Sequence, residues 1–505
     1  MSETSRIRTS TPPAEAAGGA ADALALAPLL AIAAAVAVVL IAFAHGYGYH
    51  RDELYFLVAG DHLAASYPDQ GPLTPFIAHL AQLVAPGSLT VLRLPSALMT
   101  GATVLVAGLT AFELGGTRRA QLVAAACTAV ATIVLGVGHL LSTTTFDLLA
   151  WALVLWLAVR IVRTGEERLW LLAGAVCGLA LLNKPLIVFL LAALAAGVLA
   201  CGPRRTLRSG WLWGGVGLAV LLWLPWLVWQ AHHGWPQLSV SSSIASGGSS
   251  SSQPRWALLP FQLLLVSPVL APVWIAGLIA LLRRPRLRPF RFVAAAWLAL
   301  VVIFLVAGGK PYYLAGMFPA LLAAGAIETD AWLERGAPRR RFALLTAAIA
   351  LSGVVSALIA LPLLPARDAG VAIAADSDVG ETIGWPALAQ TVARVYRDGH
   401  ARVIFTANYG EAGAVDRFGP ALGLPRAFSG HNGFGLWGVP PGRSGPVVVV
   451  GLSRTLDRGF SGCQLRAWVD NPAGVDNDER GEPVVLCAAP RRPWSAEWRL
   501  LRHLS

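Results

Sequence analysis

Residues 23–44 read ALALAPLLAIAAAVAVVLIAFA, and residues 47–75 read YGYHRDELYFLVAGDHLAASYPDQGPLTP. The contrast between these neighbours decides the fold class. The first stretch carries no charge and is long enough to cross a hydrocarbon core of about 30 Å. The second sets Asp52, Glu53 and Asp69 directly behind it, and carboxylates held at a membrane are costly unless paired or used. Ala42-Phe43-Ala44 mimics a signal-peptidase site. The run before it is too long for a signal core, however, and more apolar runs follow, so it reads as a retained helix.

Further apolar segments lie at about 89–112, 120–139, 146–162, 169–183, 185–201, 211–230, 257–282, 291–307, 313–327 and 342–364, giving eleven expected spans. Region 169–201 is read as two short helices punctuated by Asn183-Lys184-Pro185. Composition agrees: 56% of residues are hydrophobic and 13% charged, where a soluble protein is about one quarter charged. Mean hydropathy is +0.61. Lysine and arginine total 39, yet Lys184 and Lys310 are the only lysines. With the N-terminus cytoplasmic, the arginines fall in the inner turns: Arg118 and Arg119; Arg163 and Arg168; Arg204, Arg205 and Arg208; Arg283 to Arg291; Arg335 to Arg341. This is the positive-inside bias. A net charge of +11 spread this way suits an anionic leaflet and not nucleic acid.

The chain thus divides into a disordered cytoplasmic tail (1–21), a membrane domain (22–364) with outer loops 45–88 and 231–256, and an extracytoplasmic α/β domain (365–505). The expected localisation is the plasma membrane. In the last part, 384–398 reads as an amphipathic helix, 402–407 and 446–452 as strands, and 409–418 as a helix. Cys463 and Cys487 both lie there, where an outer location would let them pair. Loop 231–256 is Ser- and Gly-rich, which fits either a linker or a mobile lid.

Several charges break the pattern. Lys310, in GGKPYYLAGMFP beside Tyr312 and Tyr313, fits a phosphate contact or an interfacial snorkelling lysine. Lys184, in LLNKPL, presents the same choice. Arg93 can snorkel, pair with Asp52 or Glu53, or meet a lipid phosphate. Asp147 can complement a helix dipole. Asp52 and Glu53 can cap a helix; being adjacent, they diverge by about 100° and should not share one role. Asp69 sits in a turn. His232 and His233 are adjacent and project poorly onto one metal ion. No Walker loop, dinucleotide fingerprint or zinc-type cysteine pair occurs.

RDELYF followed by YPDQGPLTP resembles the first outer loop of GT-C glycosyltransferases, especially bacterial family 39 proteins related to protein O-mannosyltransferases and lipid A aminoarabinose transferases. RLPSAL, STTTFDLLAW, LLNKPL and GGKPYYLAGMFPALLAAG follow in that family's order, so the resemblance covers about residues 30–330. It implies a polytopic α-helical GT-C fold and transfer of a sugar from a polyprenyl-phosphate donor to a hydroxyl of a cell-envelope acceptor. It makes Asp52 the catalytic base of an inverting displacement, with Glu53 and Asp69 beside it. Lys310, Tyr312 and Tyr313, with Arg93 and Lys184, are expected at the donor phosphate; Asp147, Tyr55 and Gln70 are expected to support. Gln70 stands where relatives often have His, which weakens a metal assignment: no cofactor is required by the resemblance, and a divalent metal stays open but unsupported. ANYGEAGAVDRFG and FSGHNGFGLWG look like segments of actinobacterial members, with no role legible in them. A transporter or flippase of lipid-linked sugars is the competing class, expected to show midplane charges and repeat symmetry. A noncatalytic membrane scaffold is the third.

Overall fold

The computed structural model describes residues 23–248, 252–451 and 458–505. The tail expected at 1–21 and the middle of the Ser-rich loop lie outside the described residues. Helix α1 (Leu26–Ala42) leads to two short helices, α2 (Arg51–Asp61) and α3 (Leu73–Val84). Then come α4 (Leu89–Glu113), α5 (Arg118–Ala129), α6 (Thr132–Gly138), α7 (Thr143–Thr164), α8 (Leu169–Leu181), α9 (Ile187–Cys201) and α10 (Gly210–His232). After α11 (Pro236–Ala245) and α12 (Leu258–Val266), the bundle closes with α13 (Ala271–Arg283), α14 (Arg291–Ala307), α15 (Phe318–Leu333) and α16 (Pro338–Ala360).

Every expected apolar segment is helical, but the count of eleven spans needs correction. Among the described residues five helices are long and apolar enough to cross a bilayer, or seven when the bent pairs α5–α6 (59°) and α12–α13 (112°) each count once. Helices α8 and α9 have 13 and 15 residues, and 15 residues rise only about 22 Å. The segment read as one span at 257–282 breaks because Pro268 follows Ser267, whose φ is 143°, and Pro272 opens α13. Loop 231–256, read as flexible throughout, contains the ten-residue helix α11.

Glycines set the closest helix contacts. A Cβ on Gly174 of α8 would lie 2.2 Å from the Gly215 carbonyl oxygen of α10, and one on Gly325 of α15 would lie 1.9 Å from that of Val273 on α13. Backbones this near gain the dispersion contact that must replace a hydrophobic drive in lipid. From Arg93 to Glu113, α4 spans about 30 Å. At its far end the buried Glu113 is held by Arg160 (2.9 Å) and Arg163, and Asp330 by Thr117 (2.7 Å) and Arg119. Part of the arginine surplus at this end is therefore spent on acid partners.

The C-terminal region has α17 (Gly370–Ala375), α18 (Trp385–Asp398), β1 (Val403–Thr406), α19 (Tyr409–Phe418), β2 (Phe428–Ser429) and β3 (Val447–Val450), followed by β4 (Phe460–Ser461), β5 (Gln464–Trp468), β6 (Pro483–Cys487), β7 (Ala489–Pro490) and α20 (Trp494–Leu501). The main sheet has the order β2-β1-β3-β6-β5, parallel around β1 and antiparallel at β6. The expected elements 384–398, 402–407, 409–418 and 446–452 correspond to α18, β1, α19 and β3. Strands β1 and β3 are apolar on both faces because both are covered. Val403, Phe405, Val447 and Val449 lie under Trp494 and Trp498 of α20, whereas Ile404, Val448 and Val450 face Leu388 and Val392 of α18. A disulfide joins Cys463 to Cys487. The second core does not stop at residue 365: it includes Leu54, Tyr55, Phe56 and Val58 of α2 and Ala78 of α3. Helix α2 is shared by the two regions.

Candidate active site

The site starts from how α2 begins. His50 is extended (φ −74°, ψ 151°), its ring accepts from the Asp52 backbone N–H, and the Glu53 carboxylate reaches back to the His50 N–H at 2.8 Å. Glu53 also accepts from Arg93 Nε and Nη2, both at 2.8 Å, and from the Leu141 N–H at 2.8 Å. Arg93 spends its remaining donors on the carbonyls of Ala44 (2.8 Å) and Gly48 (2.6 Å) and on His139 Nε2 (3.4 Å). Side-chain exposures of 2% for Arg93 and 0% for Glu53 leave no room for a ligand. Two expectations are thereby corrected. Glu53 is not positioned as a catalytic group, and Arg93 does not face a donor phosphate; together they form a buried strut tying α2 to α4 and to the start of α7.

Asp52, one position earlier, turns to a different face, and its Oδ1 accepts from the Tyr409 hydroxyl of α19 at 2.8 Å. Asp69 arrives from the 66–72 turn. That turn docks on the break between α8 and α9, with Gly71 N–H donating to the Asn183 carbonyl (3.2 Å) and Leu73 N–H to that of Leu182 (3.1 Å). Thr74 donates to Asn183 Oδ1 at 2.8 Å. A Cβ on Gly71 would lie 2.0 Å from the Leu182 carbonyl oxygen, so only glycine allows this docking. Asp69 accepts from the Tyr55 hydroxyl (2.8 Å) and from Asn432 Nδ2 (3.1 Å). Desolvation outweighs these two donors and pushes its carboxyl up to about 7. The neighbouring Gln70 amide is buried with no hydrogen-bond partner among the described residues.

The same docking presents Lys184. Its ammonium lies 5.2 Å from the ring centres of both Tyr312 and Tyr313, within cation–π reach. It also lies in the electrostatic field of Asp147 and Asp52. Lys310 shares this neighbourhood: desolvation, and then Lys184, bring its ammonium down to about 8, with Asp52 acting the other way. Gly308, at φ 73°, sits so near the end of α11 that a Cβ would come within 2.8 Å of the Ala245 carbonyl oxygen. The far end of α11 therefore borders the Lys310 turn. His233 instead stacks on Trp229 at 3.8 Å, and no group of three or more His, Cys, Asp and Glu side chains suited to a metal ion occurs among the described residues. The structure thus gathers Asp52, Asp69, Tyr55, Lys184, Lys310, Tyr312, Tyr313 and Asp147, and takes Glu53 and Arg93 out.

Sequence reading missed the C-terminal contributions. Tyr409 belongs to ANYGEAG and Asn432 to GHNGFG. The signal was present in α19, where Gly410 and Gly413 share a face. A Cβ on Gly413 would lie 2.9 Å from that of Leu54, and one on Gly410 3.2 Å from that of Arg51, so this face is cut to fit α2.

Arg51 extends the junction, reaching Asp478 at 2.8 Å and Glu381 at 3.4 Å. Desolvation, then Glu479, raises the Glu381 carboxyl to about 8, and desolvation raises Glu479 to about 7. Both acids bind protons more tightly folded than unfolded, where the ordinary value is 4.5. Their contribution to stability is therefore full below about pH 4.5 and is lost as pH rises toward 8. The melting temperature of the purified protein is expected to fall between pH 5.5 and 8, and Glu381→Gln should flatten that fall. A pH-independent melt in the parent would contradict the assignment.

A family model described as dolichyl-phosphate-mannose-protein mannosyltransferase matches residues 69–229, from Asp69 through most of α10. No curated protein sequence matches the chain. Among solved structures, ArnT from Cupriavidus metallidurans in the apo state is similar at 15% identity and a TM-score of 0.58, covering 91% of this chain and 98% of that one. The same protein bound to undecaprenyl phosphate gives 16% identity and a TM-score of 0.59 with the same coverage. Identity at this level speaks for the fold. The chain is therefore a multi-pass membrane protein of the GT-C glycosyltransferase fold, related through residues 69–229 to the mannosyltransferase family model.

Proposed function

We propose that the chain transfers a sugar from a polyprenyl-phosphate donor to a hydroxyl group of a cell-envelope acceptor, with Asp52 as the base. The observation that carries this reading is that Lys184 and Lys310 both lie in the electrostatic field of Asp52, with Lys184 held over the rings of Tyr312 and Tyr313. Undecaprenyl phosphate bound to ArnT supports the choice of donor class. The Asp52 oxygen not held by Tyr409 takes the acceptor proton while the acceptor oxygen attacks the anomeric carbon. The bond to the phosphate oxygen breaks on the opposite side, and Lys184 and Lys310 stabilise the charge that collects there. A single displacement inverts the anomeric centre. A donor tethered in the bilayer arrives already oriented, which removes part of the entropic barrier. The site lies at the end of α4 remote from the arginine-rich turns, which supports an outward-facing site with the N-terminus cytoplasmic.

Lys184→Ala and Lys310→Ala are each expected to weaken undecaprenyl phosphate binding by about tenfold or more, the loss of one charge-assisted contact. Native mass spectrometry of the purified protein reads this directly. Membranes supplied with a panel of labelled undecaprenyl-phosphate sugars should yield a labelled envelope product; lipid binding untouched by both substitutions would refute the donor assignment.

A further inference from the structure

The two C-terminal motifs left without a role converge on the two carboxylates of the outer loop. The Tyr409 hydroxyl holds Asp52 Oδ1 at 2.8 Å, and Asn432 Nδ2 donates to Asp69 Oδ2 at 3.1 Å. Gly433 N–H donates to the Tyr55 hydroxyl at 2.9 Å, and that hydroxyl in turn donates to Asp69 at 2.8 Å. The rings of Tyr55 and Tyr409 stack at 4.7 Å, so the two hydrogen-bonded arms brace each other.

Neither arm is a casual contact. Asn432 stands at φ 46°, a left-handed conformation unfavourable to most side chains. It is kept there by its N–H to the His503 carbonyl (3.0 Å) and by paired bonds between its amide and the backbone of Ser505 (3.1 and 3.2 Å). Gly433 is required by proximity, because a Cβ would lie 2.6 Å from the Tyr55 hydroxyl oxygen. Tyr409 also has the Arg51 guanidinium over its ring at 5.2 Å. A carboxylate in the first turn of a short helix has several rotamers open to it, and a base displaced by about 1 Å can lose two orders of magnitude in rate.

We propose that the C-terminal domain completes the transfer site, with Tyr409 and Asn432 as positioning residues for Asp52 and Asp69. The proposal rests on the transferase reading above. Tyr409 fixes which oxygen of Asp52 is left to meet the acceptor hydroxyl, and Asn432 holds the Asp69–Tyr55 wall beside it. The domain is thus a working part of the site and not an accessory tethered to it.

The test uses the full chain, labelled undecaprenyl-phosphate sugars as donors and undecaprenyl phosphate alone as the binding probe. Tyr409→Phe keeps the ring stack and loses only the hydroxyl. Asn432→Gly keeps the left-handed backbone and loses the amide, and with it the bonds to both Asp69 and the Ser505 backbone. Each is expected to lower kcat about 10- to 100-fold, with donor KM and undecaprenyl phosphate affinity within about twofold of the parent. The melting temperature should be nearly unchanged in Tyr409→Phe and lower in Asn432→Gly, which also loses the Ser505 bonds. In an Asp52→Asn background, Tyr409→Phe should cause no further loss, because the base it positions is gone. A kcat within threefold of the parent in both variants overturns the proposal, as does a loss that multiplies fully with Asp52→Asn. A parent chain that transfers no sugar from any donor overturns the underlying reading and this proposal with it.

Discussion

Asp52→Asn is expected to lower the rate of sugar transfer by about 10²- to 10⁴-fold, the range ascribed to a positioned general base. Asparagine has the same size and still offers Oδ1 to the Tyr409 hydroxyl, so the helix start and the junction should survive. What disappears is the lone pair basic enough to take the acceptor proton. Undecaprenyl phosphate should bind the variant as it binds the parent, since the lysines and tyrosines are untouched. Steady-state transfer, measured beside lipid affinity on one preparation, separates these quantities. Transfer within about threefold of the parent would remove Asp52 from the base role. Asp69 would then be the next carboxylate to substitute, its raised value near 7 making it a base matched to neutral pH.

Arg93→Ala is expected to destabilise the protein by about 3–5 kcal/mol, the usual consequence of leaving one member of a buried ion pair alone. Glu53 would keep its bonds from His50 and Leu141 but lose both guanidinium donors. The Ala44 and Gly48 carbonyls would lose theirs as well. The double variant Glu53→Gln with Arg93→Met should recover part of the loss, because no buried charge remains. Gln keeps one acceptor oxygen for either the His50 or the Leu141 N–H, which bond to different oxygens of Glu53. Thermal melting and gel filtration in detergent read the effect. A variant that melts like the parent and loses only undecaprenyl phosphate affinity would return Arg93 to the phosphate-binding role that its place in the sequence suggests.

That reversal shows where sequence reading succeeds and where it stops. The apolar runs were legible because twenty uncharged residues have few alternatives, and β1 and β3 because a run of four buried valines or their like fits a covered sheet. The span count was less legible: the 112° turn between α12 and α13 depends on backbone angles around Ser267 that no hydropathy window senses. Among the charges, Glu53 and Asp52 are adjacent and chemically alike. Only the three-dimensional position of Arg93 consigns one to the interior and leaves the other at the site. Tyr409 and Asn432 were out of reach for a simpler reason. They lie 357 and 363 residues from the carboxylates they touch, and nothing local to ANYGEAG or GHNGFG names a partner.

The core shared across residue 365 has a consequence for how such a chain can change. With Leu54, Tyr55, Phe56 and Val58 of α2 buried together with Trp385, Leu388 and Val392 of α18, only the sheet face under α20 is closed by the C-terminal domain's own residues, and the face under α18 depends on α2. A chimera that takes its C-terminal domain from a relative would leave α2 facing foreign side chains and lacking the glycine-cut face of α19 that fits it. The exchangeable module is therefore discontinuous: α2 travels with α18 and α19, whatever the linear map suggests. Substitutions in α2 and α19 are bound to answer one another.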